Sequence, residues 1–183
     1  MPSTVELRCE NLEFRYPDAP TAALEGLNLT VKPGERIAII GRVASGKSTL
    51  GRVLCGLYRP TDGALLIDGI DSRQFRPQDI RENFRFVGQD ADLFTGSVKE
   101  NLTLGRSDAS DDALVNALRT TGADQFIGRD ASGFDLLVGE HGRRLSGGQR
   151  SFIALARAFV SPGRMMFLDA PTGAMDSQTE KLF

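Results

Sequence analysis

The sequence has no apolar stretch long enough to span a bilayer, only one histidine and only two cysteines among its 183 residues. The first absence argues against a membrane-spanning helix, and a single histidine excludes a histidine-based metal cluster. Cys9 and Cys55 lie far apart without a CxxC pattern, which predicts two buried, reduced thiols of a cytosolic protein. The amino-terminal residues lack a basic segment followed by an apolar core, so they do not predict a signal peptide.

An excess of positive charge is also missing. The formal net charge is -2, so no overall basic field favours nucleic acid as a partner. Hydrophobic residues make up 40% and charged residues 25% of the chain, which is typical of a soluble globular protein. The length suffices for one compact α/β domain that buries most of its apolar surface.

Short apolar stretches alternate with helical periodicity along the chain. Strands are predicted at 5–14, 27–31, 36–40, 64–67, 83–88 and 165–168, and helices at 47–57, 113–119 and 147–160. The isoleucine-rich stretch at 36–40 predicts a buried strand, and Ser110-Asp111-Asp112 is the predicted N-cap of the second helix. The order of these elements predicts a three-layer α/β core with a small helical insert between about 94 and 145.

A phosphate-binding pattern follows the third predicted strand. Residues 41–49 read GRVASGKST and fit G-x-x-x-x-G-K-[ST], directly before a predicted helix. Glycines let successive backbone N–H groups turn toward phosphate oxygens, and the helix N-terminus adds its positive dipole end. Lys47 would then reach the β- and γ-phosphates, and the Ser48 hydroxyl would bind Mg²⁺. A chance glycine-rich turn is the alternative, and the strand before and the helix after the pattern argue against it.

A carboxylate stands at the end of another predicted strand. Asp169 follows the apolar residues 165–168, and ligands of such sheets lie at the carboxyl ends of the strands. An apolar stretch that ends in aspartate is common, so the pattern alone is weak. Together with the phosphate loop, it predicts that Asp169 holds magnesium directly or through water.

The pentapeptide LSGGQ at 145–149 places two glycines at the start of a predicted helix. The helix N-terminus and the Ser146 hydroxyl form either a second anion-binding arrangement or a helix cap with a flexible start. Because it follows a phosphate loop and precedes Asp169, the pentapeptide resembles the signature motif of ABC ATPases. The resemblance covers essentially the whole chain, and further motifs match in order.

The resemblance implies a P-loop NTPase (RecA-like) core with a mixed or parallel sheet, an N-terminal antiparallel β part and a small helical subdomain. The whole chain, 1–183, would be one ABC ATP-binding domain, with the core at about 1–93 and 146–183 and the helical subdomain at about 94–145. The family's switch histidine lies on a strand beyond this sequence, so the resemblance implies C-terminal truncation and an exposed apolar edge at 36–40. His141 precedes the signature and is interpreted as a solvated loop residue.

The resemblance also assigns the residues of the nucleotide site. Tyr16 would stack on adenine, and a core tyrosine at the end of a strand is the alternative. Gln89 matches the Q-loop glutamine, which contacts the metal or the attacking water, and a solvated amide is its alternative. The implied ATP ligands are Tyr16, Gly41, Arg42, Ala44, Ser45, Gly46, Lys47, Ser48, Thr49 and Gln89, and the implied Mg²⁺ ligands are Ser48, Gln89 and Asp169.

Two copies face head to tail in this family, so the signature would contact the ATP of a second chain. Asp176 matches the D-loop aspartate at the dimer interface, and a helix N-cap is its other reading. The segment 94–102 resembles exporters, most of all bacterial type I protein-secretion ATPases. The expected partners are therefore a second nucleotide-binding domain and a transmembrane domain, at the cytoplasmic face of the inner membrane. The signature residues are Leu145, Ser146, Gly147, Gly148 and Gln149.

One position departs from the family at the chemical centre. Ala170 follows Asp169 where the family has a glutamate that activates water, and loss of a general base lowers the rate about 10²–10⁴-fold. The chain is therefore expected to bind MgATP and to hydrolyse it poorly, with Gln89 and Asp176 in supporting roles. A catalytically silent regulatory module is the alternative. A chromosome-maintenance ATPase is disfavoured, because 89–145 is short and has no sustained heptads.

Overall fold

The computed structural model describes residues 5–90, 92–104, 108–160 and 163–171, which form two compact units. The strand unit contains the described residues up to Phe86 together with Gly163–Asp169, and the helical unit contains the other described residues, from Val87 onward. The helix that begins with LSGGQ thus belongs to the helical unit. The predicted family subdomains, a core at about 1–93 and 146–183 and a helical subdomain at about 94–145, are a different division of the chain and stay a prediction.

An antiparallel sheet forms most of the strand unit. Its strand order is β2-β1-β3-β4, so β1 pairs with both β2 and β3. Leu7 of β1 lies opposite Val31 on one side and Ile67 on the other. Buried side chains alternate along β1 on either side of a shift in pairing register between Cys9 and Leu12, as expected for an irregular strand with one face on a core. The strands are β1 (Leu7–Phe14), β2 (Leu24–Val31), β3 (Asp62–Ile67) and β4 (Ile70–Asp71).

Two helices and a second sheet complete the strand unit. The second sheet pairs β5 with β6. Leu50, Val53 and Leu54 of α1 are buried in the same core cluster as Leu7 and Leu65. The elements are α1 (Lys47–Leu54), a 3₁₀ turn (Ser72–Gln74), α2 (Pro77–Asn83), β5 (Phe84–Val87) and β6 (Met165–Leu168).

The helical unit has an apolar core of its own. Leu114 and Leu118 of α4 and Ile153 and Ala156 of α6 are buried in it. Ser110 caps α4, since its side chain accepts a hydrogen bond from the Ala113 N–H at 3.2 Å, as predicted. The helices are α3 (Val98–Leu102), α4 (Asp111–Thr121), α5 (Asp124–Ile127) and α6 (Gly147–Val160), with 3₁₀ turns at Gly133–Asp135 and Glu140–Gly142.

The prediction of a buried strand at 36–40 is wrong. These residues form no strand in the structure, and all of them are exposed, with Ile40 94% exposed. Within the described ranges no strand is hydrogen-bonded to this segment, so its apolar side chains lack a sheet on which to pack. The apolar surface expected at this place is present, but it belongs to a segment without regular secondary structure and not to the edge of a sheet.

The two thiols are buried and free, as predicted. Burial raises the pKa of Cys9 to about 11 and the pKa of Cys55 to about 12. Both thiols therefore stay protonated at neutral pH. Among the residues that the structure describes, no helix has both the length and the apolar character of a membrane span.

Candidate functional site

The phosphate loop leads directly into α1. Gly46 is the N-cap residue of α1 and has a φ of 87°, and the Ser45 N–H donates to the Arg42 carbonyl at 3.2 Å. The loop residues before Gly46 are exposed, whereas Thr49 is buried in α1. The N–H groups of the first turn of α1 therefore stand at an exposed loop, where an anion can reach them.

Lys47 is hydrogen-bonded to three oxygen atoms of the phosphate loop. Its Nζ donates to the carbonyls of Gly41 at 2.9 Å and Arg42 at 2.8 Å, and to the Ser45 Oγ at 3.3 Å. Lys47 is half-buried, and its ammonium is bound to these three oxygens of the exposed loop. A lysine ammonium on the same loop as the N–H groups of a helix start supplies the two kinds of group that bind a polyphosphate.

Asp169 lies in the strand unit with α1, at the carboxyl end of β6. The helix lies directly against this strand, because a Cβ atom built on Gly51 would fall 2.4 Å from the Phe167 ring. Only glycine permits that approach. The half-buried Asp169 follows β6 immediately, and Ser48 lies in the first turn of α1.

The oxygen donors Ser48 and Asp169 suit Mg²⁺, which prefers oxygen ligands and keeps waters and substrate phosphates in most of its positions. Over the described part of the chain there is no group of three or more histidine, cysteine or acidic side chains that could hold a metal. A magnesium ion here would therefore depend on phosphate and water for its remaining ligands.

Tyr16 is tied to the phosphate-loop helix. Its hydroxyl lies 3.0 Å from the Thr49 Oγ1. Its ring meets those of Phe14 and Tyr58 edge-on, with centroids 4.9 and 5.7 Å away, and those two rings stack on each other at 5.1 Å. Neither Tyr58 nor the contact with Thr49 belongs to a sequence motif, and no short-range pattern in the sequence indicates either.

The LSGGQ segment forms a reciprocal cap at the start of α6. The Ser146 N–H donates to the Gln149 Oε1 at 2.9 Å, and the Gln149 N–H donates to the Ser146 Oγ at 3.2 Å. Leu145 is 7% exposed and anchors the segment in the core of the helical unit, while Ser146 is exposed. The helix cap that the sequence allowed is therefore present, and it leaves the start of α6 accessible.

The sequence profile of the ABC transporter family matches residues 24–173 of this chain. The chain belongs to the ABC transporter family. It is 38% identical over 175 residues to an ATP-dependent lipid A-core flippase of Chromohalobacter salexigens, which covers 96% of this chain and 30% of the flippase. It is 38% identical over 178 residues to ABC transporter B family member 4 of Dictyostelium discoideum, which covers 97% of this chain and 23% of that transporter.

A solved ABC exporter has the same fold. A bacterial Atm1-family ABC exporter with ATP bound matches 97% of this chain with a TM-score of 0.91 and 35% identity, and the chain covers 31% of that exporter. The predictions of an exporter-type ABC nucleotide-binding domain and of its α/β fold class are therefore confirmed. The finer likeness to type I protein-secretion ATPases stays a prediction, because the relatives compared are a flippase, a B-family transporter and an Atm1-family exporter.

The assigned roles of all the site residues stay predictions, Gln89 and Asp176 included. Gln89 is exposed beyond β5 and belongs to the helical unit, so its contact with metal or water is not tested. Asp176 lies outside the described residues. His141 is exposed in the 3₁₀ turn before the signature, which agrees with a solvated loop residue.

Two alanines of this ABC domain have left-handed backbone conformations. Ala170, at the position of the family's glutamate, is exposed with a φ of 47°. Ala44, in the phosphate loop, has a φ of 63°. L-residues other than asparagine and aspartate rarely adopt this conformation. The methyl group of Ala170 can neither accept a proton nor orient a water molecule.

Proposed function

We propose that this chain is the ATP-binding motor domain of a membrane exporter and that it binds MgATP at the phosphate loop. The observation that carries the proposal is the Lys47 ammonium, held by three oxygens of the loop at the start of α1. Tyr16 would contact the adenine, and Ser48 and Asp169 would hold the magnesium. Membership in a family of transport ATPases supports ATP as the nucleotide.

Two such domains would assemble head to tail around two nucleotides. Each signature, Leu145 to Gln149, would then contact the ATP that is bound to the phosphate loop of the other chain, with Gln89 and Asp176 near the shared site. The accessible start of α6 supports this role, because its first turn and the Ser146 hydroxyl can meet an anion.

The partner of the dimer would be the transmembrane domain of an exporter, at the cytoplasmic face of the inner membrane. The relatives and the solved structure are described as a flippase, a transporter and an exporter, and the chain covers 23–31% of their lengths. A net charge of -2 gives no support to nucleic acid as a partner.

We further propose that this chain hydrolyses ATP poorly, because Ala170 replaces the general base. A regulatory module that binds nucleotide without turnover is the second candidate, and Ala170 supports it equally. Ala170→Glu separates the two. Recovered hydrolysis supports an altered motor, whereas continued inactivity with intact ATP binding supports the regulatory module.

The proposed site is tested by calorimetric titration of the folded chain with MgATP. Lys47→Ala is expected to lose most of the binding, because it removes the cation and three hydrogen bonds that shape the loop. Lys99→Ala is the matched control, since Lys99 pairs with Asp111 at 3.0 Å in the helical unit and should bind as the parent does. Equal MgATP affinity of Lys47→Ala and the parent would show that the site is assigned wrongly.

A further inference from the structure

A half-buried arginine of α6, Arg157, is hydrogen-bonded to the segment 92–102. The Arg157 Nε donates to the Asn101 carbonyl at 2.9 Å and an amino group donates to the Asn101 Oδ1 at 3.1 Å. A longer hydrogen bond, 3.4 Å, reaches the Asp92 carbonyl. Burial lowers the pKa of Arg157, yet a guanidinium stays charged at neutral pH. The three hydrogen bonds that the guanidinium fork donates offset the cost of partly desolvating this cation.

Asn101 is hydrogen-bonded to other residues of the same segment. The residue is 1% exposed, and its Nδ2 donates to the carbonyls of Phe94 at 2.8 Å and Ser97 at 3.0 Å. The Phe94 N–H donates back to the Asn101 Oδ1 at 2.8 Å. Asn101 therefore closes residues 94–101 into one folded piece, and Arg157 attaches that piece to α6.

Phe94 is an exposed residue of this segment that contacts Arg157 through its ring. The Arg157 guanidinium carbon lies 5.7 Å from the centroid of the Phe94 ring, which is a cation–π contact. Phe94 itself remains 57% exposed. An external contact that moved this ring would therefore act on Arg157 directly.

The same segment meets the turn just before the signature. Gly142 has a φ of +70°, and a Cβ atom built on it would lie 2.7 Å from the Arg150 Cδ and 3.1 Å from the Leu93 Cδ1. Arg150 in turn donates to the Leu145 carbonyl at 3.0 Å. The segment thus contacts α6 directly at Arg157, and it is connected to the start of α6 through Gly142, which lies between Leu93 and Arg150.

We propose that Arg157 is a positioning residue that, together with Asn101, fixes the segment 92–102 to α6, so that a displacement at Phe94 is carried to the signature. The helix of 14 residues spans about 21 Å, and it transmits the displacement as a rigid rod. Only the consequence for a second chain's ATP rests on the proposed function. The mechanical connection within the helical unit does not.

The test compares the parent with Arg157→Met, Arg157→Lys and the control Arg119→Met, which changes an exposed arginine of α4. Amide hydrogen exchange is measured without nucleotide at two reporters, the N–H groups of Phe94 and Gln149. Arg157→Met is expected to speed exchange about tenfold at both reporters, since it removes charge-assisted hydrogen bonds, while the α4 amides stay unchanged. Arg157→Lys keeps the charge but loses the fork, so the same acceleration is expected.

Several outcomes would overturn the proposal. Parent-like exchange at Gln149 in Arg157→Met would show that the signature does not sense this connection. Equal acceleration at all amides of the helical unit would indicate a general structural role. Parent-like exchange in Arg157→Lys would show that charge alone suffices.

A second arm links the connection to nucleotide. Arg157→Met is expected to keep the MgATP affinity of its own phosphate loop and to weaken ATP-dependent self-association about tenfold. Association as strong as the parent's would refute a role in positioning the signature for a second chain. A parent that binds no MgATP would refute the proposed function, and the exchange comparison would still decide the role of Arg157.

Discussion

The hydrogen bond between Tyr16 and Thr49 can be tested in isolation. Tyr16→Phe removes only the hydroxyl that lies 3.0 Å from the Thr49 Oγ1, and the ring keeps its contacts with Phe14 and Tyr58. Thr49→Val replaces the other hydroxyl with a methyl group of similar shape, and Thr and Val have similar helix propensities. Thr49 is 7% exposed, so little water can replace the lost partner.

The structure sets the size of the effect. A neutral hydrogen bond contributes about 1 kcal/mol, and a buried hydroxyl left without its partner costs about 1–3 kcal/mol. Each single substitution should therefore lower the free energy of unfolding by about 1–2 kcal/mol. The double substitution should cost no more than the larger single one, so the coupling free energy should at least equal the smaller single effect, about 1–2 kcal/mol.

Urea unfolding followed by far-UV circular dichroism measures these values, because the chain contains no tryptophan as a fluorescent probe. Tyr58→Phe is the matched control: it removes a hydroxyl from the neighbouring ring and should change stability by less than either single substitution. If the effects of Tyr16→Phe and Thr49→Val simply add in the double variant, the two hydroxyls do not interact and Tyr16 is not tied to α1.

Three further substitutions or conditions test other parts of the strand unit. Ala44→Gly should raise the free energy of unfolding, measured in urea, by about 0.5–1 kcal/mol, because glycine adopts a positive φ without the steric cost that alanine has. A loss of stability would contradict the left-handed conformation of Ala44. Gly51→Ala should lower it by about 1–3 kcal/mol through overlap with the Phe167 ring, and a parent-like value would mean that α1 does not lie against β6. Because the thiol pKa values are raised in the folded protein, the unfolded chain loses its thiol protons at a lower pH than the folded protein does. The free energy of unfolding should therefore be fully retained below about pH 8.5. Above that pH it should fall by up to about 1.4 kcal/mol per pH unit for each thiol. Urea unfolding at pH 8, 9 and 10 of the parent and Cys55→Ala measures this slope, which should be shallower in the variant; equal slopes would argue against a buried thiol.

The local elements could be predicted because their signals lie within a few residues. The apolar strand at Met165–Leu168 and the helix at Gly147–Val160 have the predicted bounds. The helix after the phosphate loop begins at Lys47 as expected but ends at Leu54, three residues early. The stretch at 36–40 has the composition of a buried strand, yet a strand is buried only where neighbouring strands and helices cover it. Composition carries no information about those neighbours.

The sequence by itself determined which short segments can bind an anion or cap a helix, since glycine positions, a lysine and capping side chains act within one or two turns of backbone. Only the tertiary structure decided which distant side chains meet. Tyr16 and Thr49 are 33 residues apart, and Asn101 and Arg157 are 56 residues apart. Such contacts depend on how whole elements pack, because packing selects the pairs whose shapes and hydrogen-bonding groups fit when apolar surface is buried.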